Sequence, residues 1–141
     1  MNAKVLKASS LILVVVSLVV IACAPASGNG AKTTYAVDLA DFKFAPNSFV
    51  VPAGKEITLN VANKGANIHE FVIMKAGTKV EAPFGDKDEG NIYWEVDNVQ
   101  AGESKTEKFT APSQPGTYQI ICGEPNHLEM GMVGTLTVVA E

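Results

Sequence analysis

The sequence predicts an all-β protein, an antiparallel Greek key β-sandwich of seven to eight strands, and three observations support this fold class. From residue 35 onward, short segments rich in Val, Ile, Thr, Phe and Tyr follow one another, and many alternate apolar with polar residues. Gly, Pro or Asn separates one segment from the next, as expected for turns. No segment carries a sustained helical repeat. About a hundred residues of this kind are typical of a sandwich.

The predicted strands each join residues of high β propensity to residues that favour a turn. The first, YAVDLADFKF, precedes a Pro-Asn pair, and the second, SFVVPAG, ends in a Pro-Ala-Gly turn. EITLNVANKG alternates apolar with polar residues and ends in glycine, as does HEFVIMKAG. The last three are KTEKFTAP, GTYQIICG and GTLTVVAE, each bounded by Gly or Pro.

The segment from Gly77 to Asn91 interrupts this pattern and is predicted to be a long surface loop with room for one turn of helix. Its DKDEG motif invites comparison with an EF-hand calcium loop. Counted from Asp86 as the first position, however, Gly90 falls one place early, and the twelfth position holds Asp97 in place of a bidentate Glu. Because no helical pattern flanks the motif, the sequence favours a solvated acidic loop.

Residues 1–22 have the layout of a secretory signal peptide, a short basic segment followed by an almost unbroken apolar run. A plain transmembrane anchor is the alternative, although the run is short and wrongly flanked for one. Its end, VIAC, resembles the lipobox of bacterial lipoproteins. The resemblance implies a lipid on Cys23, a flexible tether over residues 23–34 and an extracytoplasmic domain over residues 35–141. That domain would be anchored to the outer face of the cytoplasmic membrane or face the periplasm.

The composition limits the partners that the protein can bind. The 141-residue chain has a formal net charge of −4 and no arginine, and loss of the signal would remove lysines but no acid. Binding to phosphate backbones needs clustered positive charge, so we expect no nucleic-acid partner. The length after cleavage suits one domain with one core, and we expect a monomer.

Three metal-binding residue types lie on the loop before the last predicted strand. Cys122 ends one strand, His127 follows after four residues, and Met132 after four more. If Cys23 is lipidated, Cys122 has no disulfide partner in an oxidising compartment, so it is a liability, an intermolecular link or a ligand. His69, the other histidine of the chain, is the candidate for a fourth ligand from across the sandwich. Singly, such residues are more often core or surface residues than ligands.

This pattern resembles the cupredoxins, the blue copper proteins that include plastocyanin, azurin, rusticyanin and the auracyanins. The resemblance runs from DFKFAPNSFVV through HEFVI to YQIICGEPNHLEMGMVGTLTVV, nearly the whole predicted domain. It implies a cupredoxin-like fold and one type 1 copper per chain. His69, Cys122 and His127 would be the trigonal ligands, and Met132 the weak axial ligand. Two imidazoles, a thiolate and a long thioether bond suit copper that cycles between its cuprous and cupric states.

Met130 competes with Met132 for the axial role, because residues two apart on an extended chain project to the same face. The Met-x-Gly step of the family favours Met132. The sequence departs from the usual family pattern at Glu70, where Asn or Ser is frequent, and at Gly123, where Ser or Thr is frequent. Both residues adjoin ligands, where neighbouring groups tune a metal site.

The resemblance implies one-electron transfer and no enzyme activity, since a copper with four protein ligands has no open position for a substrate. Copper enzymes of this fold need further histidines, and this chain has two in all. A zinc hydrolase with Glu70 or Glu129 as base is a formal alternative. Copper delivery or storage is a second alternative, because it uses the same ligand types.

The resemblance also implies a docking surface. In the family, the histidine matching His127 reaches the surface through an apolar patch that serves as the electron port, and here Pro125, Leu128 and Met130 are expected to form that patch. We expect transient complexes with membrane-associated redox proteins, such as cytochromes or oxidase subunits of a respiratory or photosynthetic chain.

Overall fold

Nine β-strands and one helical turn make up residues 30–140, the part of the chain that the computed structural model describes. The predicted signal peptide, Cys23 and most of the predicted tether lie outside the described residues. The elements are β1 (Thr34–Ala40), β2 (Lys43–Ala45), β3 (Ser48–Pro52), β4 (Glu56–Asn63), β5 (His69–Met74), α1 (Asp86–Glu89), β6 (Ile92–Val99), β7 (Ser104–Thr110), β8 (Gly116–Ile121) and β9 (Val133–Val139). Within this range, no helix is long and apolar enough to cross a bilayer.

The strands form two sheets, which confirms the predicted all-β sandwich. One sheet has the order β2-β1-β4-β7 and the other the order β3-β9-β8-β5-β6. Most neighbours are antiparallel, but β1 pairs with β4, and β3 with β9, in parallel. The predicted antiparallel sandwich did not include these two parallel pairs. Parallel neighbours cannot be joined by a hairpin, and here the chain visits the opposite sheet between the two strands of each parallel pair.

The nine strands exceed the predicted seven to eight for two reasons. The first predicted segment is two strands, β1 and β2, because the chain turns at Phe42, which has a φ of 65°. Strand β6 was not predicted at all. It contains Glu95, Asp97 and Asn98, residue types that are depleted in strands, and it lies at the edge of its sheet with two register irregularities against β5.

The main core lies between the two sheets and follows the period of two expected for strands. In β4, Ile57, Leu59 and Val61 are buried, and the residues between them are partly exposed. Phe71 is near the centre of this core, where its ring meets those of Phe44 and Phe49 edge to face at centroid distances of 5.3 and 5.6 Å. The core therefore reaches into β5, the strand that begins with His69.

A second apolar cluster covers the opposite face of the five-stranded sheet. Val72 and Met74 alternate with core residues along β5 and so point away from the main core. The cluster consists of Val72, Met74, Val80, Ile121 and Leu128, with Phe84 and Ile92 packed against it. Val80 comes from the predicted long loop, which contains the single helical turn α1 as expected. We call this group the outer cluster.

Candidate metal centre

Two neighbouring strands bring His69 and Cys122 to one end of the sandwich. His69 is the first residue of β5, and Cys122 follows directly after the last residue of β8. These strands are antiparallel neighbours, with Val72 opposite Ile121. The beginning of one and the end of the other therefore lie side by side, and the loop from β8 to β9 starts at this point.

The nitrogen and sulfur atoms of three predicted ligands converge. The Nδ1 atoms of His69 and His127 are 3.2 Å apart. Cys122 Sγ lies 3.9 Å from His69 Nδ1 and 3.3 Å from His127 Nδ1. All three residues are buried. Within residues 30–140, they form a group whose ligand atoms all lie within 4.8 Å of one another, close enough to hold one metal ion.

Backbone hydrogen bonds draw the loop between β8 and β9 into a tight turn. The Met132 amide donates to the carbonyl of His127 at 3.0 Å, and the Cys122 amide donates to the carbonyl of Met132 at 3.2 Å. Met132 is fully buried next to this group, whereas Met130 is 59% exposed. Burial therefore separates two methionines that strand alternation alone did not distinguish.

Burial favours the neutral forms of two donor groups, the Cys122 thiol and the His69 imidazole, when no metal is bound. Burial raises the pKa of the Cys122 thiol to about 11, although the Glu70 amide donates a hydrogen bond to Sγ at 3.3 Å. Burial, together with repulsion from His127, lowers the pKa of His69. A metal that binds here must displace the thiol proton, but it meets an imidazole ring that is already neutral.

Glu70 and Gly123, the two departures from the family pattern, are in contact. The carboxylate of Glu70 fills the space that a Cβ at position 123 would occupy. Burial raises the pKa of Glu70 to about 7, and the nearby carboxylates of Glu124, Glu95 and Asp97 add to this shift. The two departures are therefore one structural feature, in which glycine admits the carboxylate beside the ligand loop.

The structure corrects the predicted docking patch at Leu128. This residue is only 8% exposed and belongs to the outer cluster, so it fastens the ligand loop to the face of the sheet. Pro125 and Met130 are exposed as expected, and His127 is 8% exposed. Phe42, which the sequence did not indicate, packs its half-buried ring edge to face against His127 at a centroid distance of 5.2 Å.

Sequence reasoning also missed Asp41, whose Oδ1 lies 3.4 Å from His69 Nε2. Asp41 and Phe42 form the turn between β1 and β2, in the opposite sheet from His69. A turn of Asp and an aromatic residue is common on protein surfaces. Nothing in the local sequence distinguishes this turn from the others.

The sequence and fold were compared with those of known proteins. The family model for the cupredoxin-like domain matches residues 10–138. The chain is a cupredoxin. Auracyanin-B of Chloroflexus aurantiacus is 32% identical over 112 residues, which cover 67% of this chain and 46% of that relative. This cupredoxin therefore spans about half the length of the curated relative.

Solved auracyanins share the fold over most of the described domain. The dithionite-reduced auracyanin of Roseiflexus castenholzii has a TM-score of 0.68 and 33% identity, covering 78% of this chain and 99% of that structure. Auracyanin A of Chloroflexus aurantiacus, described as a "blue" copper protein, has a TM-score of 0.60 and 25% identity, covering 75% and 99%. The likeness to these two auracyanins thus covers nearly all of each solved structure.

The donor set of this cupredoxin fits one type 1 copper. Two imidazole nitrogens and one thiol sulfur converge in a buried site, and a buried methionine closes the loop. Soft sulfur donors combined with imidazole suit copper, whereas magnesium and calcium need oxygen donors. When bound, the copper supplies a one-electron couple, and the protein supplies its ligands and a dry enclosure.

Proposed function

We propose that this cupredoxin is an electron carrier, tethered by a lipid on Cys23 to the outer side of a membrane, where it serves membrane-associated redox proteins such as cytochromes or oxidase subunits. The observation that supports electron transfer most directly is the burial of all the donor residues, His69, Cys122, His127 and Met132. Buried donors leave no room for a substrate at the metal. In our proposal, the first three are the trigonal ligands and Met132 is the axial one.

The way the ligands are held supports the same role. His69 is part of a strand, and the loop that carries the other donors is fastened by backbone hydrogen bonds at its two ends and by Leu128 in the outer cluster. A rigid frame holds both oxidation states of copper in nearly the same geometry. Such a frame keeps the reorganisation required for each electron transfer small.

The proposed exit for the electron is the surface around His127. We define the port patch as Pro125 and Met130 on the ligand loop, the exposed edge of His127, and the ring of Phe42 against it. Met130 has the largest exposed fraction among the large hydrophobic residues of the described chain. An exposed apolar patch over a redox centre suits a small and transient contact.

The rival functions make different demands on the same residues. A zinc hydrolase needs an open metal position and a base next to it, but Glu129 is exposed and the Glu70 carboxylate lies against Gly123. Copper delivery needs a ligand set that releases its metal readily. The buried ligands favour retention of copper, and transfer to an acceptor is the measurement that separates the two functions.

Stopped-flow oxidation of the reduced copper protein by cytochrome c tests the proposal. We expect Met130→Lys to slow the bimolecular step by about tenfold or more without changing the optical spectrum, because the charge disrupts the apolar contact. The control is Tyr93→Lys. Tyr93 is exposed near the start of β6, whereas Val99, which pairs with His69, lies at the other end of that strand. Equal rates for both variants would place the exit elsewhere, and rapid loss of copper to an acceptor apoprotein would favour delivery.

A further inference from the structure

The outward nitrogen of His69 lacks a normal hydrogen bond. Its Nδ1 atom faces Cys122 and His127, while Nε2 points away from them. Among residues 30–140, Nε2 is the buried side-chain nitrogen or oxygen left without a hydrogen-bond partner. The acceptor beside it is Asp41 Oδ1, at 3.4 Å, slightly beyond the usual hydrogen-bond range. A buried ring nitrogen normally has a hydrogen-bond partner, and Asp41 Oδ1 is the acceptor placed to serve as the partner of His69 Nε2.

The Asp41 carboxylate is held in place by the loop between β4 and β5. Its Oδ1 accepts hydrogen bonds from the amides of Ala66 and Asn67 at 3.0 and 3.3 Å, and from Asn67 Nδ2 at 3.1 Å. These hydrogen bonds therefore fix the position of the carboxylate, although its side chain is 40% exposed.

Gly65 makes room for this approach. A Cβ at position 65 would overlap Asp41 Oδ1 and lie only 2.9 Å from His69 Nε2. The buried side chain of Asn63 supports the loop, because its Oδ1 accepts from the Gly65 amide and its Nδ2 donates to the carbonyls of Asn67 and Val99, each at 2.8 Å. The loop thus has the side chains needed to bring a carboxylate to this nitrogen.

We propose that Asp41 is a positioning residue for the copper site, and that its Oδ1 accepts a hydrogen bond from the Nε2–H group of His69. A proton held on Nε2 leaves the Nδ1 lone pair free and directed at the thiol and the second imidazole. A carboxylate on the outer nitrogen of a ligand histidine fixes the ring and raises its basicity. A more basic ligand favours the cupric ion, so Asp41 lowers the reduction potential. This inference rests on the copper site described above.

The tautomer of His69 in the metal-free protein provides the first test. We expect ¹⁵N NMR of the wild type to show the proton on Nε2. Asp41→Asn keeps an acceptor oxygen and should preserve this tautomer, whereas Asp41→Ala should give a mixture of both. Asp38→Asn, which removes an exposed carboxylate from β1, the strand that precedes Asp41, should have no effect. A wild-type tautomer in Asp41→Ala would show that Asp41 only braces the loop.

Copper affinity and reduction potential provide the second test. Loss of the charge in Asp41→Asn should weaken cupric binding by about tenfold, with a smaller effect on cuprous binding. A tenfold loss confined to the cupric state raises the potential by about 59 mV. Asp38→Asn should leave both quantities unchanged, and an unchanged potential in Asp41→Asn would overturn the proposal. If Asp41→Ala does not fold, Asp41→Asn still decides the result.

The two tests distinguish failure of this inference from failure of the copper assignment. The tautomer is measured without metal and reports on Asp41 alone. A wild-type protein that binds no copper would disprove the copper site while leaving the tautomer result valid.

Discussion

Glu70 and Gly123 share one small volume beside the sulfur of Cys122. The amide of Glu70 donates to this sulfur, and its carboxylate lies where a side chain at position 123 would be. Burial and neighbouring carboxylates penalise ionisation of Glu70, so its pKa is raised to about 7. The charge on Glu70, which lies against the ligand loop, is therefore expected to change near neutral pH.

This shift predicts a pH dependence of stability. Below about pH 4.5, Glu70 is protonated in both the folded and the unfolded chain. Between there and about pH 7, only the unfolded chain loses the proton, so the free energy of unfolding should fall as pH rises, by about 1–3 kcal/mol. Denaturant unfolding of the metal-free protein at several pH values should show this decline in the difference between the wild type and Glu70→Gln, because the opposite contribution of His69, whose pKa is lowered, is common to both proteins. Glu107→Gln, at an exposed position on β7, should retain the decline.

The buried methionine provides a prediction for the potential. Met132→Leu should raise the reduction potential, by about 59 mV if the thioether favours cupric over cuprous copper tenfold, because a donor to the cupric ion is lost. Met130→Leu should leave the potential nearly unchanged, since Met130 lies at the surface. Voltammetry of the two variants measures both effects, and the reverse result would assign the axial role to Met130.

At the scale of elements, the ligand loop is held between two apolar groups. Its ends join β8 and β9, which contribute to the main core, and its middle inserts Leu128 into the outer cluster. Val80, from the loop before α1, completes that cluster. The long loop that the sequence predicted as surface therefore has a structural role, because it supplies part of the support for the copper ligands.

Leu128→Ala should destabilise the fold by about 2–5 kcal/mol and should also broaden or shift the copper absorption band, because the loop loses its anchor. Leu59→Ala, in the main core on β4, removes the same group from a buried site in the other sheet. It should cost a similar free energy of unfolding while preserving the spectrum. Calorimetry and optical spectra measure the two effects. If both variants keep the wild-type spectrum, the outer cluster stabilises the fold without shaping the site.

At the scale of the molecule, β1 joins the two ends of the sandwich. The strand begins at Thr34, and the turn that follows it carries Asp41 and Phe42 against His69 and His127. Seven strand residues span about 20 Å, so the chain enters the domain far from the copper end. A lipid anchor preceding this entry would leave the port patch on the side away from the attachment.

The anchor itself is tested with Cys23→Ser. We expect this variant to be released into the soluble extracytoplasmic fraction or to remain unprocessed, because position 23 no longer has a thiol to carry the lipid. Released protein should keep the wild-type spectrum, since Cys122 is unaffected. Mass spectrometry of the N terminus and membrane fractionation measure the outcome. Recovery of wild-type protein that lacks lipid and begins at another residue would contradict the prediction.

The sequence alone determined what depends on short stretches of chain. Alternation within segments such as β4 predicted the sandwich, because side chains on a strand point in turn to opposite faces. The spacing from Cys122 through His127 to Met132 predicted a metal site, because the three lie on one loop, and the resemblance to the cupredoxins implied that the metal is copper. The residue roles in electron transfer, the lipid and the partners stay predictions.

Only the tertiary structure decided what depends on residues distant in sequence. It placed Leu128 inside the outer cluster and Asp41 beside His69. It also paired β1 with β4 and β3 with β9 in parallel. Each of these contacts forms between segments that are distant in sequence. The local sequence of one segment therefore does not show which other segment it will contact. The physical reason is that packing is decided by which surfaces meet, and that is known only once the whole chain has folded.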